Sequence, residues 1–290
     1  MPLVTLREVL SDAAEKGYAV GSFNAIDVNL LRGLIAAAEQ ESSPIIINLG
    51  QGQFRLTPPE IMAPIMVHMA KEASVPVVIH LDHGKDVETC VRALRLGFSS
   101  VMYDGSAHSF EENLQNTKEV IRIARHFGAS VEAEIGKVGN VETGDEEETA
   151  TAPAVCEEDQ LTNPEQARMF AESADIDALA VAFGTAHGLY KGEPKLDFQR
   201  LQTIGQQVSV PLVMHGGSGL DDSVYGEAIA CGVSKINYFT NMSHDVGIQC
   251  LNVLNRGSEA FYHDTVLTAV NATRNHAARI MQVFGSSGKA

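Results

Sequence analysis

No apolar run in the chain is long enough to cross a bilayer: the longest, such as PIIINL and PVVI, fall far short of the ~20 residues a spanning helix needs. The opening MPLVTLREVL lacks the basic-then-apolar build of a secretory signal, so a soluble, cytoplasmic protein is expected. Positive charge is also scarce. With 21 Lys and Arg against 37 Asp and Glu, the formal net charge is −16 and the pI about 5.0, which excludes nucleic acid and anionic membrane as partners because both need a basic field. Small molecules remain, and an anionic one would have to be held locally, by backbone amides at helix N-termini or by a metal ion. The cysteines, Cys90, Cys156, Cys231 and Cys250, have no C-x-x-C spacing, which argues against a disulfide framework or a thiolate metal site. Nor is there a linker, or any internal repeat beyond the unit described next.

What the chain does have is alternation. Eight short β-rich runs, YAVGSF, PIIINLG, PVVIHLD, SSVMYDG, SVEAEIG, ALAVAFG, PLVMHGG and VSKINYF, are separated by helical stretches such as NLLRGLIAAAEQE and FEENLQNTKEVIRIARHFG. Eight strand-helix units, each strand buried on both faces, predict a single α/β domain over residues 1–290, a closed (β/α)8 TIM barrel. An open doubly wound sheet is the alternative, but the G-x-G-x-x-G fingerprint near the first strand is missing. One loop breaks the rhythm: residues 136–159, GKVGNVETGDEEETATAPAVCEED, follow neither period and read as a mobile lid after the fifth strand. The tail from Leu251 to Ala290 reads as a helical extension whose polar end, GSSGKA, is frayed or free for subunit contact.

A barrel of this kind carries its site where the strands end. The third run ends in Asp82 and His83, the fourth in Asp104, the fifth in Glu132 and Glu134. The sixth leads to His187, the seventh to His215, and the eighth ends in Asn237 with Thr240 close behind. Three imidazoles on one rim with no nearby thiolate suit a catalytic Zn²⁺ with one open position, and Asp104 and Glu134 are candidates for a second metal position or for holding the ligands. His80 lies one pleat deeper and reads as a residue behind the ligands or in the core. The glycine-rich turns GTAHG and HGGSG, beside NYFT, are suited to bind a phosphate through backbone amides.

The set SFN (22–24), HLDHG (80–84), DGS (104–106), VEAEIG (131–136), GTAHGLY (184–190), HGGSG (215–219) and KIN (235–237) resembles the class II, metal-dependent ketose-bisphosphate aldolases, and within them the tagatose-bisphosphate branch. The resemblance implies Zn²⁺ on His83, His187 and His215, with Glu134 and Asp104 serving an alternate placement or bonding around it. It implies that Asp82 moves the hydroxyl proton as the carbon–carbon bond breaks or forms, and that Glu142, in GNVE of the lid, exchanges the proton on the ketone-side carbon. Asn24, Gly188, Gly216, Ser218, Asn237 and Thr240 match the dihydroxyacetone phosphate pocket, where a monovalent cation, Na⁺ or K⁺, is usual. A sugar phosphate substrate and a homodimer or homotetramer are implied as well.

The chemistry calls for these types. Cleaving a β-hydroxyketone leaves an enediolate whose charge a Lewis acid spreads, one carboxylate takes the hydroxyl proton, and a second reprotonates carbon. A lid would keep water from the enediolate. Two departures concern the aldehyde half. Residues 257–272, GSEAFYHDTVLTAVNA, hold no Arg or Lys for a distal phosphate, leaving Arg55 or Arg274 as substitutes, and NYFTN has bulky Tyr238 and Phe239 and ends in Asn241 where the tagatose branch tends to small residues and an acid. Tagatose 1,6-bisphosphate is the expected substrate, with fructose 1,6-bisphosphate next. The rivals are a ketose 1-phosphate aldolase using a non-phosphorylated or longer aldehyde, a Schiff-base aldolase on Lys137 or Lys235, and a non-catalytic sugar-phosphate binding protein.

Overall fold

The computed structural model describes residues 2–140, 158–190 and 192–290. Its strands are β1 (Val20–Asn24), β2 (Ile45–Gly50), β3 (Val77–Gly84), β4 (Ser100–Tyr103), β5 (Ser130–Ile135), β6 (Gly139–Asn140), β7 (Ala178–Val181), β8 (Ala186–His187), β9 (Leu212–Met214) and β10 (Val233–Asn237). All but β6 and β8 close into one parallel barrel in the order β1-β10-β9-β7-β5-β4-β3-β2, so each of the eight apolar runs is a barrel strand and the (β/α)8 expectation holds. β6 and β8 form a separate parallel pair.

Period-two alternation sorts the strand side chains into two cores. Ile45, Ile47, Leu49, Val77, Ile79 and Leu81 share the outer layer with helix residues such as Leu31, Leu34, Met62 and Met66. Val20, Ile46, Val78, Met102, Ala178 and Val213 fill the barrel's interior at its N-terminal end, joined by Leu6, Val9, Leu10 and Ala13 of a first helix, Leu6–Lys16. That helix forms because its apolar residues fall on one stripe. Thr5 and Glu8 make a reciprocal capping box at its start, and Gly17 ends it at φ +68°. It plugs the barrel floor, each large side chain contributing about 1.5–3 kcal/mol by burial. Farther up, the interior turns polar: Ser22, Asn48, His80, Ser100, Glu132 and Lys235 have no solvent exposure at all.

The C-terminal extension is helical, as expected: Thr240–Leu254 and Tyr262–Val283. The second of these packs closely on the helix Val28–Glu41, where a Cβ on Gly33 would come 2.6 Å from the Thr273 Cβ. The end of the chain is not frayed, contrary to the sequence expectation. Gly288 N–H donates to the Glu41 carbonyl (2.8 Å), Ala290 N–H to that of Ser42 (2.9 Å), and the Ser286 and Ser43 hydroxyls are 2.8 Å apart. Small polar residues read as a loose tail in sequence, but here they satisfy the carbonyls at another helix's end. Among the described residues, no helix is long and apolar enough to cross a membrane.

Candidate active site

Asp82 and His83 are adjacent in β3, so a regular strand would send their side chains to opposite faces. Two irregularities prevent this. The pairing of β3 with β4 shifts register between Leu81 and Gly84, and His83 adopts φ +49°, one of only two non-glycine residues with positive φ among those described. Asp82 keeps the inward direction of Val78 and His80, and His83 is turned back over the same mouth. A left-handed histidine costs on the order of 1–2 kcal/mol, the kind of local strain that the surrounding fold must hold in place.

The turned imidazole enters a cluster. His83 Nε2 is 2.9 Å from His215 Nδ1, and ring nitrogens of His83, His187 and His215 lie within 4.8 Å of one another. The His83 ring meets those of His187 and His215 edge-on, with centroids 5.1 and 4.6 Å away. On its other side, His83 Nδ1 donates to Asp104 Oδ2 at 2.8 Å, and Asp104 Oδ1 accepts from the Ser106 hydroxyl at 2.6 Å. His83, Asp104 and Glu134 form a second group with the same spacing. Asn237 Nδ2 donates to Asp82 Oδ1 at 3.0 Å, and Asp82 is nearly buried.

The hydrogen bonds fix the proton positions. His215 Nε2 donates to Glu132 Oε1 at 2.9 Å, leaving Nδ1 as the acceptor for His83. His83 is then a donor at both nitrogens. Burial pulls its imidazole down, but Asp82, Asp104 and Glu134 outweigh burial and push it to about 10. His187 goes the other way, to about 4, through burial and then the neighbouring His83 charge. Burial, reinforced by Asp104, pushes Glu134 up to about 8. Burial opposes ionisation of Asp82 and Asp104 too, but the His83 charge holds both below the usual carboxylate range. One Glu134 oxygen, Oε2, is buried without a hydrogen bond. The donor set, three imidazoles with carboxylates behind them and an orphaned carboxylate oxygen beside them, fits a divalent cation.

The glycine-rich turns stand next to this cluster. Tyr190 O–H accepts from Ala186 N–H and donates to the Gly216 carbonyl, both at 2.8 Å, which ties the His187 segment to HGGSG. Gly188 and Gly216 have φ +107° and +65°. The Ser218 hydroxyl accepts from Phe239 N–H at 2.7 Å, just before Thr240 opens its helix, and that helix has no side-chain cap. Asn24 ends β1 and donates to Gln53 Oε1 at 2.9 Å. The loop that follows β5 is closed at its base by Lys137 N–H donating to the Gln160 carbonyl (2.8 Å), and β6 pairs it to β8, the strand holding His187. Glu142, Cys156 and most of the expected lid lie outside the described residues.

Sequence reasoning passed over Glu132 as a site residue and weighed Lys235 only as a Schiff-base amine. Both sit at the centre of the polar interior, and alternation could have found them: Glu132 is two residues before Glu134, and Lys235 two before Asn237, so each shares a barrel-facing side with a site residue. Lys235 is fully buried and ion-paired to Glu132, and Lys137 is exposed.

The family model described as fructose-bisphosphate aldolase class-II matches residues 4–289. A sulfofructosephosphate aldolase of Alkalicoccus urumqiensis is 38% identical over 100% of this chain and 99% of its own, and a probable fructose-bisphosphate aldolase of Bacillus subtilis is 41% identical over 83% and 82%. The crystal structure of the YdjI aldolase of Escherichia coli K12 superposes with a TM-score of 0.84 at 34% identity, covering 99% of both chains. A barrel with this rim, matched along almost its whole length, belongs to the class II fructose-bisphosphate aldolase family, and its activity is that of an aldehyde-lyase.

Proposed function

We propose that the protein is a zinc-dependent aldolase that reversibly cleaves a ketose 1,6-bisphosphate, tagatose 1,6-bisphosphate first and fructose 1,6-bisphosphate second, to dihydroxyacetone phosphate and glyceraldehyde 3-phosphate. The observation that carries this reading is the convergence of His83, His187 and His215 beside a buried, ionised Asp82. His83, His187 and His215 would hold the metal, with Asp104 orienting His83 through its Nδ1 proton. When bound, the cation supplies Lewis acidity that draws negative charge from the ketone oxygen and its neighbouring hydroxyl.

The remaining work belongs to side chains and amides. Asp82 Oδ1, fixed by the Asn237 amide, takes the hydroxyl proton as the carbon–carbon bond breaks and returns it in the reverse direction. Glu142, two residues beyond β6, is assigned the proton exchange at the ketone-side carbon. Gly188, Gly216 and Ser218, with Thr240 at an uncapped helix start and Asn24 and Asn237 on the rim, would hold the donor phosphate and its hydroxyls, with a monovalent cation beside them. An assembly of two or four chains would cover the exposed apolar corner of Leu251, Leu254, Phe261 and Tyr262.

A ketose 1-phosphate aldolase is the second reading, favoured by the absence of Arg and Lys from residues 257–272. The test is cleavage of tagatose and fructose 1,6-bisphosphates and their 1-phosphates by zinc-loaded protein, before and after chelation. Chelator-sensitive release of dihydroxyacetone phosphate, fastest from a bisphosphate, is expected. Faster cleavage of the 1-phosphates selects the second reading, and zinc binding without cleavage of any ketose phosphate refutes both.

A further inference from the structure

Behind His215, on the side away from His83, the barrel holds ionisable side chains with no exposure to solvent. His215 Nε2 donates to Glu132 Oε1 at 2.9 Å, and Lys235 Nζ donates to the same oxygen at 3.0 Å. The other Glu132 oxygen is 2.8 Å from the ammonium as an ion pair but has no aligned hydrogen bond. His80 closes the far side, its Nε2 3.6 Å from Glu132 Oε2 and its Nδ1 2.9 Å from the Ser100 hydroxyl. Glu132, Lys235, His80 and His215 are all 0% exposed.

Such a group needs a reason. Removing a carboxylate and an ammonium from water costs several kcal/mol per ion, and well-packed apolar side chains of similar volume often do as well or better for stability. Barrels of this size are commonly filled with Val, Ile and Leu. An apolar pair could not accept the Nε2 proton of His215. That proton decides which nitrogen of the ring carries the lone pair, and Nδ1 is the one facing His83 and Asn237.

We propose that Glu132 and Lys235 are positioning residues for the metal centre: Glu132 locks His215 in the orientation and tautomer that present Nδ1 to the cluster, and Lys235 anchors Glu132 as its buried counter-charge. The proposal rests on the metal-dependent reading given above and extends it to two residues that touch neither metal nor substrate. β5 and β10 each supply one member, two residues below Glu134 and Asn237, so the same strands that carry rim groups also brace a ligand contributed by the chain after β9.

The test compares full-length wild type, E132Q and the E132L/K235M double variant. Zinc affinity is read by competition with a chromophoric chelator, and the His215 tautomer by nitrogen-15 NMR of the imidazoles. E132L/K235M replaces the ion pair with an apolar pair and is expected to keep a melting temperature near that of the wild type while binding zinc roughly 10–100-fold more weakly. E132Q retains an acceptor oxygen and is expected to recover most of the affinity. A purely structural pair would move the melting temperature and leave zinc affinity and the tautomer alone, so a double variant binding zinc within twofold of the wild type overturns the proposal. A wild-type His215 protonated at Nδ1 overturns it without any variant. Wild type that binds no zinc overturns instead the metal-dependent reading.

Discussion

Gly216 joins two of the three histidines, and substituting it with alanine should separate activity from folding. Its φ of +65° is one that side chains rarely adopt, and an added Cβ would lie 2.6 Å from the carbonyl carbon and oxygen of Ala186 and 2.8 Å from its nitrogen. Ordinary contact begins near 3.4 Å, so the two segments must part by about 0.8 Å, and the obstacle is backbone, which cannot swing aside. His215 directly precedes Gly216 and His187 directly follows Ala186, so the movement pulls two imidazoles apart. It also stretches the Tyr190 bridge between Ala186 N–H and the Gly216 carbonyl. The stability loss should be about 1–3 kcal/mol from overpacking and the left-handed backbone, a melting shift of several degrees in a chain of this size. A displacement near 1 Å at reacting groups costs on the order of 10²-fold in rate, so kcat/KM should fall about that much. The assay couples dihydroxyacetone phosphate release to NADH oxidation at a temperature well below the melting point of either protein. G226A is the control: Gly226 lies in the helix Asp222–Ala230 with nothing within 4 Å of its added Cβ, and it should gain about 0.5–1 kcal/mol with no kinetic change. Folded G216A protein retaining activity within threefold of wild type would refute the coupling of this turn to the histidines.

Two further outcomes follow from single groups. D82N keeps the shape that Asn237 holds but removes the proton acceptor, so kcat should fall roughly 10²- to 10⁴-fold while zinc affinity stays within threefold; an unchanged kcat, or zinc loss matching the rate loss, would count against the assigned role. Farther out, Asp245 Oδ2 pairs with His276 Nδ1 at 2.9 Å, and although burial opposes it, the His276 and Gln249 hydrogen bonds hold this carboxyl below its ordinary value. A depressed folded value means stability that is present above the unfolded value of ~3.9 and lost as pH falls through the folded one. The stability gap between wild type and D245N should therefore be full at pH 6 and close below about pH 4, measured by urea unfolding at stepped pH; a gap that widens in acid would show the sign to be wrong.

The barrel was legible because its signal is redundant. Eight runs, each flanked by helical periodicity, point to the same architecture, and errors of one or two residues at any end do not change it. The rim residues were legible because a chain that ends buried strands in Asp, His and Glu has few other uses for them. What the sequence hid was direction. Nothing in IHLDHGKD says that His83 leaves the strand alternation, since the bulge against β4 is a property of pairing between two strands. Glu132 and Lys235 were hidden differently: the first stands at a strand end without a role and the second reads only as a Schiff-base amine, because nothing in the sequence shows that β5 and β10 turn them toward each other. The C-terminal GSSGKA misled because polarity marks solvent in a sequence but marks hydrogen-bonding capacity in a fold.

The charges around the mouth form a balance that composition alone conceals. Asp82, Asp104, Glu132 and Glu134 are carboxyls around three imidazoles, and Lys235 is the only lysine or arginine in hydrogen-bond contact with any of them among the described residues. In the cluster as described, two groups take up the imbalance: His83 holds a second proton, with its value pushed to about 10, and Glu134 is pushed to about 8. Burial leads the rise of Glu134, with Asp104 adding to it, whereas at His83 burial opposes the rise and the surrounding carboxylates outweigh it. A divalent cation on the imidazoles would remove both responses, freeing the His83 lone pair and favouring ionised Glu134. The acidity of the whole chain is then no obstacle to an anionic substrate. On the proposed function, the field that would matter to a sugar phosphate is local: that cation, the glycine-turn amides and the helix start at Thr240 would make it, all at the same end of the barrel.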